Sequence, residues 1–499
     1  MKNRPQDPLR RSRIIAIACI GTLLLLQLPF LHSDPDYFLS IGRDAFTDEG
    51  LNTSQLRNYI NYGYLDLNEC DNMIKTPLFN VVLFLPLKLF GTHLIVARLT
   101  LLILFIIALL VLLKNEYFVQ LIPLLLISTL TQYYVFQYSH FSLSEMLSIT
   151  CILMGVHFVF RLYSQNHSQS RLKTSHAILS ALFFSMAYYS KIQYVYIIVL
   201  LPASILYLSF IQSSSLRRSY AVLLKSILWL TVFALIYLVT WYFPFRATFD
   251  FVMSNQSTDK FATPLNIPKT IGFNILHTVF SGQTWWFNSL ALICFLTGIY
   301  IYRKNEDQNF RILFPISSLW MVIELHKLSM IYLPSRYLVS YYFAAGLMCS
   351  VVLLRVISIS GEKTSSLKFL RLMGVGMAIL FIIANSLQYT LLLQRKTYHI
   401  EAINQYFSAT LKTRDQPVMG PWAPAATWDC KAKCIPVWKD FMNDKDLINR
   451  FHPQAIHSEP DESESNQAYS SQRINLLQLS DSTRTFQLGR WDVIVYWLK

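Results

Sequence analysis

Asp48 and Glu49 stand side by side in the polar stretch Phe46-Thr47-Asp48-Glu49-Gly50, just after the first apolar run of the chain. Lys75 follows 27 positions after Asp48, in Ile74-Lys75-Thr76-Pro77-Leu78, where the sequence turns apolar again. Ser142-Leu143-Ser144-Glu145 opens one later apolar run, Lys191 divides another, and Leu333-Pro334-Ser335-Arg336-Tyr337 opens a third. Ionisable side chains at a water–lipid boundary are costly to hold there unless they are used. A carboxylate so placed can take a proton from an attacking group, and a fixed cation can stabilise an anion. The pattern points to a membrane-embedded enzyme rather than a plain bundle of helices.

The elements that must position these groups are mostly transmembrane. Of 499 residues, 53% are hydrophobic and 14% charged, far fewer charges than a soluble domain carries. A span needs roughly 20 apolar residues. On that measure about 11 helices are expected, near 14–31, 94–113, 118–136, 145–163, 177–190, 192–211, 221–241, 286–302, 311–330, 337–355 and 371–393. Arg10-Arg11-Ser12-Arg13 before the first span, with no small-residue cleavage site after it, reads as an uncleaved signal anchor.

The net charge of +14 does not indicate nucleic acid, because the basic residues fall in short loops between apolar runs. Alternating from a cytoplasmic N-terminus, the inner loops hold Arg161/Arg171/Lys173, Arg217/Arg218/Lys225, Arg303/Lys304/Arg311 and Arg355/Lys363/Lys368/Arg371, as the positive-inside rule requires. The first outer loop is mostly acidic, with Asp34, Asp36, Asp44, Asp48, Glu49, Asp66, Glu69 and Asp71. Residues 77–90, which include Pro86 and Lys88, are short for a span and read as an interfacial helix. The outer loop 242–285 is expected to hold further interfacial helices, with Trp285 and Trp286 at headgroup level.

From about residue 394 the composition turns polar. β-like runs at 417–420, 435–438 and 491–496, with helix-like pieces near 397–412 and 440–451, suggest a small extracytoplasmic α/β domain over 394–499. Residues 1–393 form the membrane-embedded domain. Cys430 and Cys434 lie where a disulfide is permitted, and two free thiols are the alternative. No spacing of Cys with His suits zinc or haem.

Helix one, an outer Asp-Glu, and then Lys75-Thr76-Pro77-Leu78 before an apolar run ending Leu89-Phe90-Gly91 resemble the GT-C superfamily of polyprenyl-phosphate-sugar glycosyltransferases. The nearest branches are the protein O-mannosyltransferase-like enzymes, the lipid A aminoarabinose transferases and the lipopolysaccharide-core transferases. The resemblance spans roughly residues 10–345. Thr76 departs from the proline often found there.

That resemblance implies an all-α polytopic fold and transfer of a sugar from a polyprenyl-phosphate donor to an extracytoplasmic glycan, lipid or protein acceptor, by single inverting displacement, at a bacterial cytoplasmic membrane. Asp48 matches the first acidic position and is the expected general base. Glu49, the second candidate catalytic residue, orients the site or holds the loop backbone. Lys75 matches the family lysine that holds the lipid phosphate, and Arg336, Lys191 and Tyr337 are further substrate-binding candidates. Asp48 and Glu145 are the candidate ligands of a divalent metal ion, since hard cations prefer oxygen.

Arg98, buried by hydropathy, is expected to pair with a carboxylate or backbone carbonyl. His326 and Lys327 are expected to line the cavity, and Trp422, Trp428 and Trp438 to pack a core. The rival readings are a transporter or flippase of lipid-linked sugars, and a scaffold whose tail binds a partner. A transporter calls for internal repeats or midplane polar residues; the ionisable residues here cluster at one face.

Overall fold

Inside lipid every backbone polar group must be bonded within its own segment, so apolar runs become helices. The computed structural model describes residues 8–40, 42–164, 170–211, 216–257, 263–304, 307–358, 365–411, 417–430, 432–460 and 463–499. α1 (Pro8–Gln27) is followed by α2 (Asp44–Tyr62), α3 (Asn72–Lys75), α4 (Pro77–Phe90) and α5 (Leu94–Leu112). Next come α6 (Glu116–Leu125), α7 (Tyr133–Ser139), α8 (Ser144–Ser164), α9 (Ser170–Ser190), α10 (Leu200–Ile211) and α11 (Leu216–Tyr237). α12 (Arg246–Ser257) and α13 (Ile267–Asn274) precede α14 (Trp285–Lys304), α15 (Gln308–Glu324), α16 (Val339–Ser358) and α17 (Ser365–Gln394).

This is a multi-pass membrane protein. Among the described residues nine helical stretches are long and apolar enough to cross a membrane, or ten if the pair α6–α7 is one broken span. Two of the eleven expected spans account for the difference. The run at 118–136 is bent by 98°, because a π turn at Leu126–Leu130 ends α6 and Gln132 then caps α7 by accepting from Val135 N. α9 is 21 residues long, but Arg171, Lys173 and its serines dilute its apolar character, and it is not among the nine. Of the basic loop residues, Lys363 lies outside the described residues.

α8 and α16 form the inside of the bundle: 83% and 94% of their span residues are buried, against 17% for the span that contains α11. The most buried helices are therefore those that begin beside Glu145 and Arg336. α4 is the expected short apolar helix, entered at Pro77, whose missing N–H is harmless at a helix start.

The C-terminal segment opens with α18 (His399–Thr410), whose first amides His399 N and Ile400 N donate to Asp34 at 2.7 and 3.0 Å. It continues as β1 (Val418–Met419), α19 (Ala423–Ala426), β2 (Cys434–Ile435), α20 (Leu447–Phe451) and β3 (Ala455–Ser458). α21 (Ser463–Ser471), α22 (Leu476–Leu479), β4 (Ser480–Leu488) and β5 (Trp491–Leu498) complete it. The sheet runs β2-β1-β3-β5-β4, parallel among the first three strands and antiparallel thereafter. The helix expected over 440–451 is confined to α20. Asp440, Asn443 and Asp446 take left-handed backbone before it, as turn-forming Asp and Asn tolerate. Cys430 and Cys434 are both buried free thiols.

Candidate active site

The stretch read as a polar loop around Asp48 is α2, a helix buried over most of its 19 residues. It lacks an apolar stripe because its polar side chains find partners on all sides. Successive residues turn by about 100°, and this sorts them. Asp44 and Asp48, one turn apart, share a face. Glu49 points away from them, and Gly50 and Arg57, two turns apart, face the C-terminal segment.

The first face meets Arg336, whose Nη1 is paired with Asp48 Oδ2 and lies 2.8 Å from Asp44 Oδ2. Arg336 sits on the 3-10 turn Ser335–Leu338 that leads into α16. Its Nε is 3.5 Å from Glu145 Oε1, on the first turn of α8, and that oxygen also takes Lys191 Nζ at 2.5 Å. Lys191 reaches this point because α9 stops at Ser190, Lys191 is extended, and the chain restarts as a 3-10 turn. Tyr337 lies against both cations, its ring centre 5.0 Å from Lys191 Nζ and 5.1 Å from the Arg336 guanidinium carbon. Gln193 Nε2 donates to the Tyr337 hydroxyl at 2.9 Å.

Three carboxylates, Asp44, Asp48 and Glu145, thus surround two cations. Fully ionised they leave one net negative charge. Burial raises the Asp48 pKa to about 7; Arg336 and Lys191 pull it down, Asp44 and Glu145 push it up. A carboxyl titrating near neutrality is suited to proton transfer.

Glu49 has different work. It is 2% exposed, takes Arg98 on both oxygens (2.9 Å for Nε to Oε1), and accepts Ser142 N at 2.6 Å. Arg98 also donates to the carbonyls of Leu31 and Ser33 at 3.0 and 2.8 Å. The pair ties α2 to the end of the first span and to the loop before α8. Glu49 is held by Arg98 and the Ser142 amide, apart from the carboxylates that face Arg336.

Lys75 pairs with Asp71, one turn before it, rather than with the carboxylates of α2. The expected metal ligands Asp48 and Glu145 do not face an open position here. Asp48 and Glu145 are bridged by Arg336, and among the described residues no group of three or more His, Cys, Asp or Glu could hold a metal ion. As these side chains stand, the donor set does not fit a divalent cation.

The remaining face of α2 is locked to the C-terminal segment. Arg57 Nη2 donates to Pro424 O at 2.5 Å, Nη1 to Thr427 O at 3.1 Å, and the guanidinium lies 4.2 Å from the Trp428 ring centre. Asn58 exchanges two hydrogen bonds with the Cys434 backbone, at 3.0 and 3.1 Å. At Gly50 any Cβ would collide with the Pro424–Ala425 backbone.

No family model matches the sequence, and no curated protein sequence matches it significantly. Solved structures do match. ArnT from Cupriavidus metallidurans bound to undecaprenyl phosphate superposes with a TM-score of 0.61 at 14% identity, over 96% of this chain and 97% of that one. The oligosaccharyltransferase AglB from Archaeoglobus fulgidus, in complex with an inhibitory peptide and a dolichol-phosphate, gives 0.56 at 11% identity, over 91% and 70%. The chain has the GT-C fold.

Within this bundle, sequence reasoning missed two contributors, Asp44 and Glu324. Asp44 was one acid among many in the first loop; its four-residue spacing from Asp48 was the available signal, hidden by reading α2 as a loop. Glu324 and the hydroxyls around it were not singled out. Glu324 pairs with Lys327 at 2.6 Å, and Lys327 donates at 2.8 Å to the Tyr337 carbonyl, fixing the turn that presents Arg336. His326 is placed differently from Lys327: its Nδ1 contacts the Ile323 carbonyl at an exposed position, 2.7 Å away.

Proposed function

We propose that this protein is a membrane glycosyltransferase that moves a sugar from a polyprenyl-phosphate donor to an acceptor in the bacterial cell envelope, on the extracytoplasmic side of the cytoplasmic membrane. The observation that carries the reading is Asp48 held against Arg336 beside Lys191, in a fold shared with an undecaprenyl-phosphate-bound protein.

The acceptor hydroxyl attacks the anomeric carbon and its proton passes to Asp48. The bond from that carbon to the phosphate oxygen breaks, and polyprenyl phosphate leaves with the electron pair. Attack from the side opposite the phosphate inverts the anomeric centre. Arg336 offers a planar fork and Lys191 a point charge for the phosphate, so the cations stabilise the charge that grows on the leaving group. In the resting cluster Asp44 and Asp48 occupy Arg336. A lipid phosphate that takes over the guanidinium releases Asp48, so the base is freed when the donor is seated. Lys75 contributes to donor binding from the neighbouring segment.

Purified protein supplied with undecaprenyl-phosphate sugars and an envelope extract, with products followed by mass spectrometry, tests the reading. A new glycosidic bond with release of undecaprenyl phosphate is expected. Movement of intact donor across a vesicle membrane without bond cleavage would contradict it and favour a flippase.

A further inference from the structure

Away from Arg336, a cavity of about 450 Å³ opens where the loop after α2, helix α12 and the segment leading into α20 meet. That volume falls in the range of small-ligand sites. Two aromatic rings line it, Phe251 from α12 and Phe441 from the C-terminal segment, together with Asn68 from the loop after α2. Asp440 and Asp444 face it, offset by Lys445 and Arg450, so the lining carries no net charge.

The walls are held. Thr248 Oγ1 donates to Asn68 Oδ1 at 3.0 Å, joining α12 to the loop after α2. The Asn443 amide donates to the carbonyls of Glu69 and Pro436 at 3.0 and 2.7 Å, and Gln472 donates to Asp444 O at 2.6 Å. Of the five non-glycine residues with positive φ among the described residues, Asp440, Asn443, Asp446 and His452 belong to this one segment. One wall residue of the cavity connects it to the helix that carries Asp48: Phe441 packs on the cluster of Leu51, Cys70 and Met442, and Leu51 follows Asp48 by three residues on α2.

Rings offer faces to the apolar side of a sugar, and amides, carboxylates and cations suit its hydroxyls. Charge balance favours an uncharged ligand over the anion for which the Arg336 cluster is built. We propose that this cavity binds neutral sugar residues of the acceptor, which makes the acceptor a glycan or glycolipid. The acceptor role rests on the transferase reading above.

The test uses the full chain in nanodiscs, with neutral di- and trisaccharides of hexose and N-acetylhexosamine as probes, read by saturation-transfer NMR. Undecaprenyl phosphate serves as an independent probe of the donor site. Saturable binding of at least one neutral sugar is expected, weakened at least fivefold by Phe251→Ala, which removes an exposed ring, and by Lys445→Ala, with undecaprenyl phosphate binding unchanged. Absence of sugar binding, binding equal in both variants and wild type, or preference for a hexose phosphate over its neutral counterpart would overturn the proposal. Transfer with an unchanged acceptor KM in Phe251→Ala overturns the acceptor site alone. Sugar binding with no transfer from any lipid-linked donor overturns the transferase reading instead.

Discussion

Asp48 and Glu49 are adjacent in sequence, both are carboxylates, and both are buried against an arginine, yet the regions they enter differ. Around Glu49 the charges balance: one carboxylate meets one guanidinium, and backbone groups take the remaining lone pairs and protons. Around Asp48 three carboxylates share two cations. A balanced buried pair has nothing left to give a substrate and holds structure in place. An unbalanced one has a site for a proton and cations that a phosphate can claim. One helical step of about 100° separates the two environments, so residue type and position in the chain do not by themselves assign a role.

Breaking the balanced region should have the largest effect on the fold. Arg98→Met leaves Glu49 charged and unpaired in a dry site, and about 3–5 kcal/mol of stability is expected to be lost, read as a fall in melting temperature and in detergent-extractable protein. In the unbalanced region Arg336→Ala also strips a cation from buried carboxylates and lowers melting. It should in addition weaken undecaprenyl phosphate binding by about 10- to 100-fold, as loss of a charged hydrogen-bonding partner implies, whereas folded Arg98→Met protein binds it as wild type does. Equal undecaprenyl phosphate affinity in the two folded variants would erase the distinction drawn here.

A third expectation concerns pH. Asp48 must be ionised to accept a proton, and burial holds its pKa near 7. Transfer should therefore fall about tenfold per unit as pH drops below 7 and level off above it. A rate constant from pH 5 to 9 would assign the proton elsewhere. Gly50→Ala should act on the scaffold: its Cβ meets the Pro424–Ala425 backbone, and overpacking of this kind costs about 1–3 kcal/mol. The smallest effect is expected from Lys75→Ala, since Lys75 is already engaged by Asp71: a severalfold weaker donor affinity with the fold intact, measured by undecaprenyl phosphate titration.

The bundle was largely legible in the sequence because span length and loop charge are set by the bilayer. Legibility ended where tertiary partners replaced the bilayer as the reason for a conformation. α2 carries no apolar stripe, since Arg57, Asn58 and Gly50 are satisfied by a segment more than 350 residues later. The 98° bend between α6 and α7 likewise rests on a π turn and the Gln132 cap rather than on any break in hydropathy. In the site, Asp48 and Glu145 were grouped around a metal ion and Lys191, Arg336 and Tyr337 around the substrate. The direct pairing of those acids with those cations was not legible, because it depends on α9 stopping at Ser190 and on the turn before α16. Asp44 and the Glu324–Lys327 pair needed the fold to be seen.

The central claim is that the unbalanced cluster does chemistry through one carboxylate. Asp48→Asn tests it most directly, because the amide keeps the shape and loses the base. Purified variant and wild type are compared for sugar transfer from an undecaprenyl-phosphate donor and, in the same preparations, for undecaprenyl phosphate binding and thermal stability. The account predicts transfer reduced by at least about 100-fold, with lipid phosphate still bound and melting unchanged. Transfer at the wild-type rate by a folded Asp48→Asn protein would contradict it.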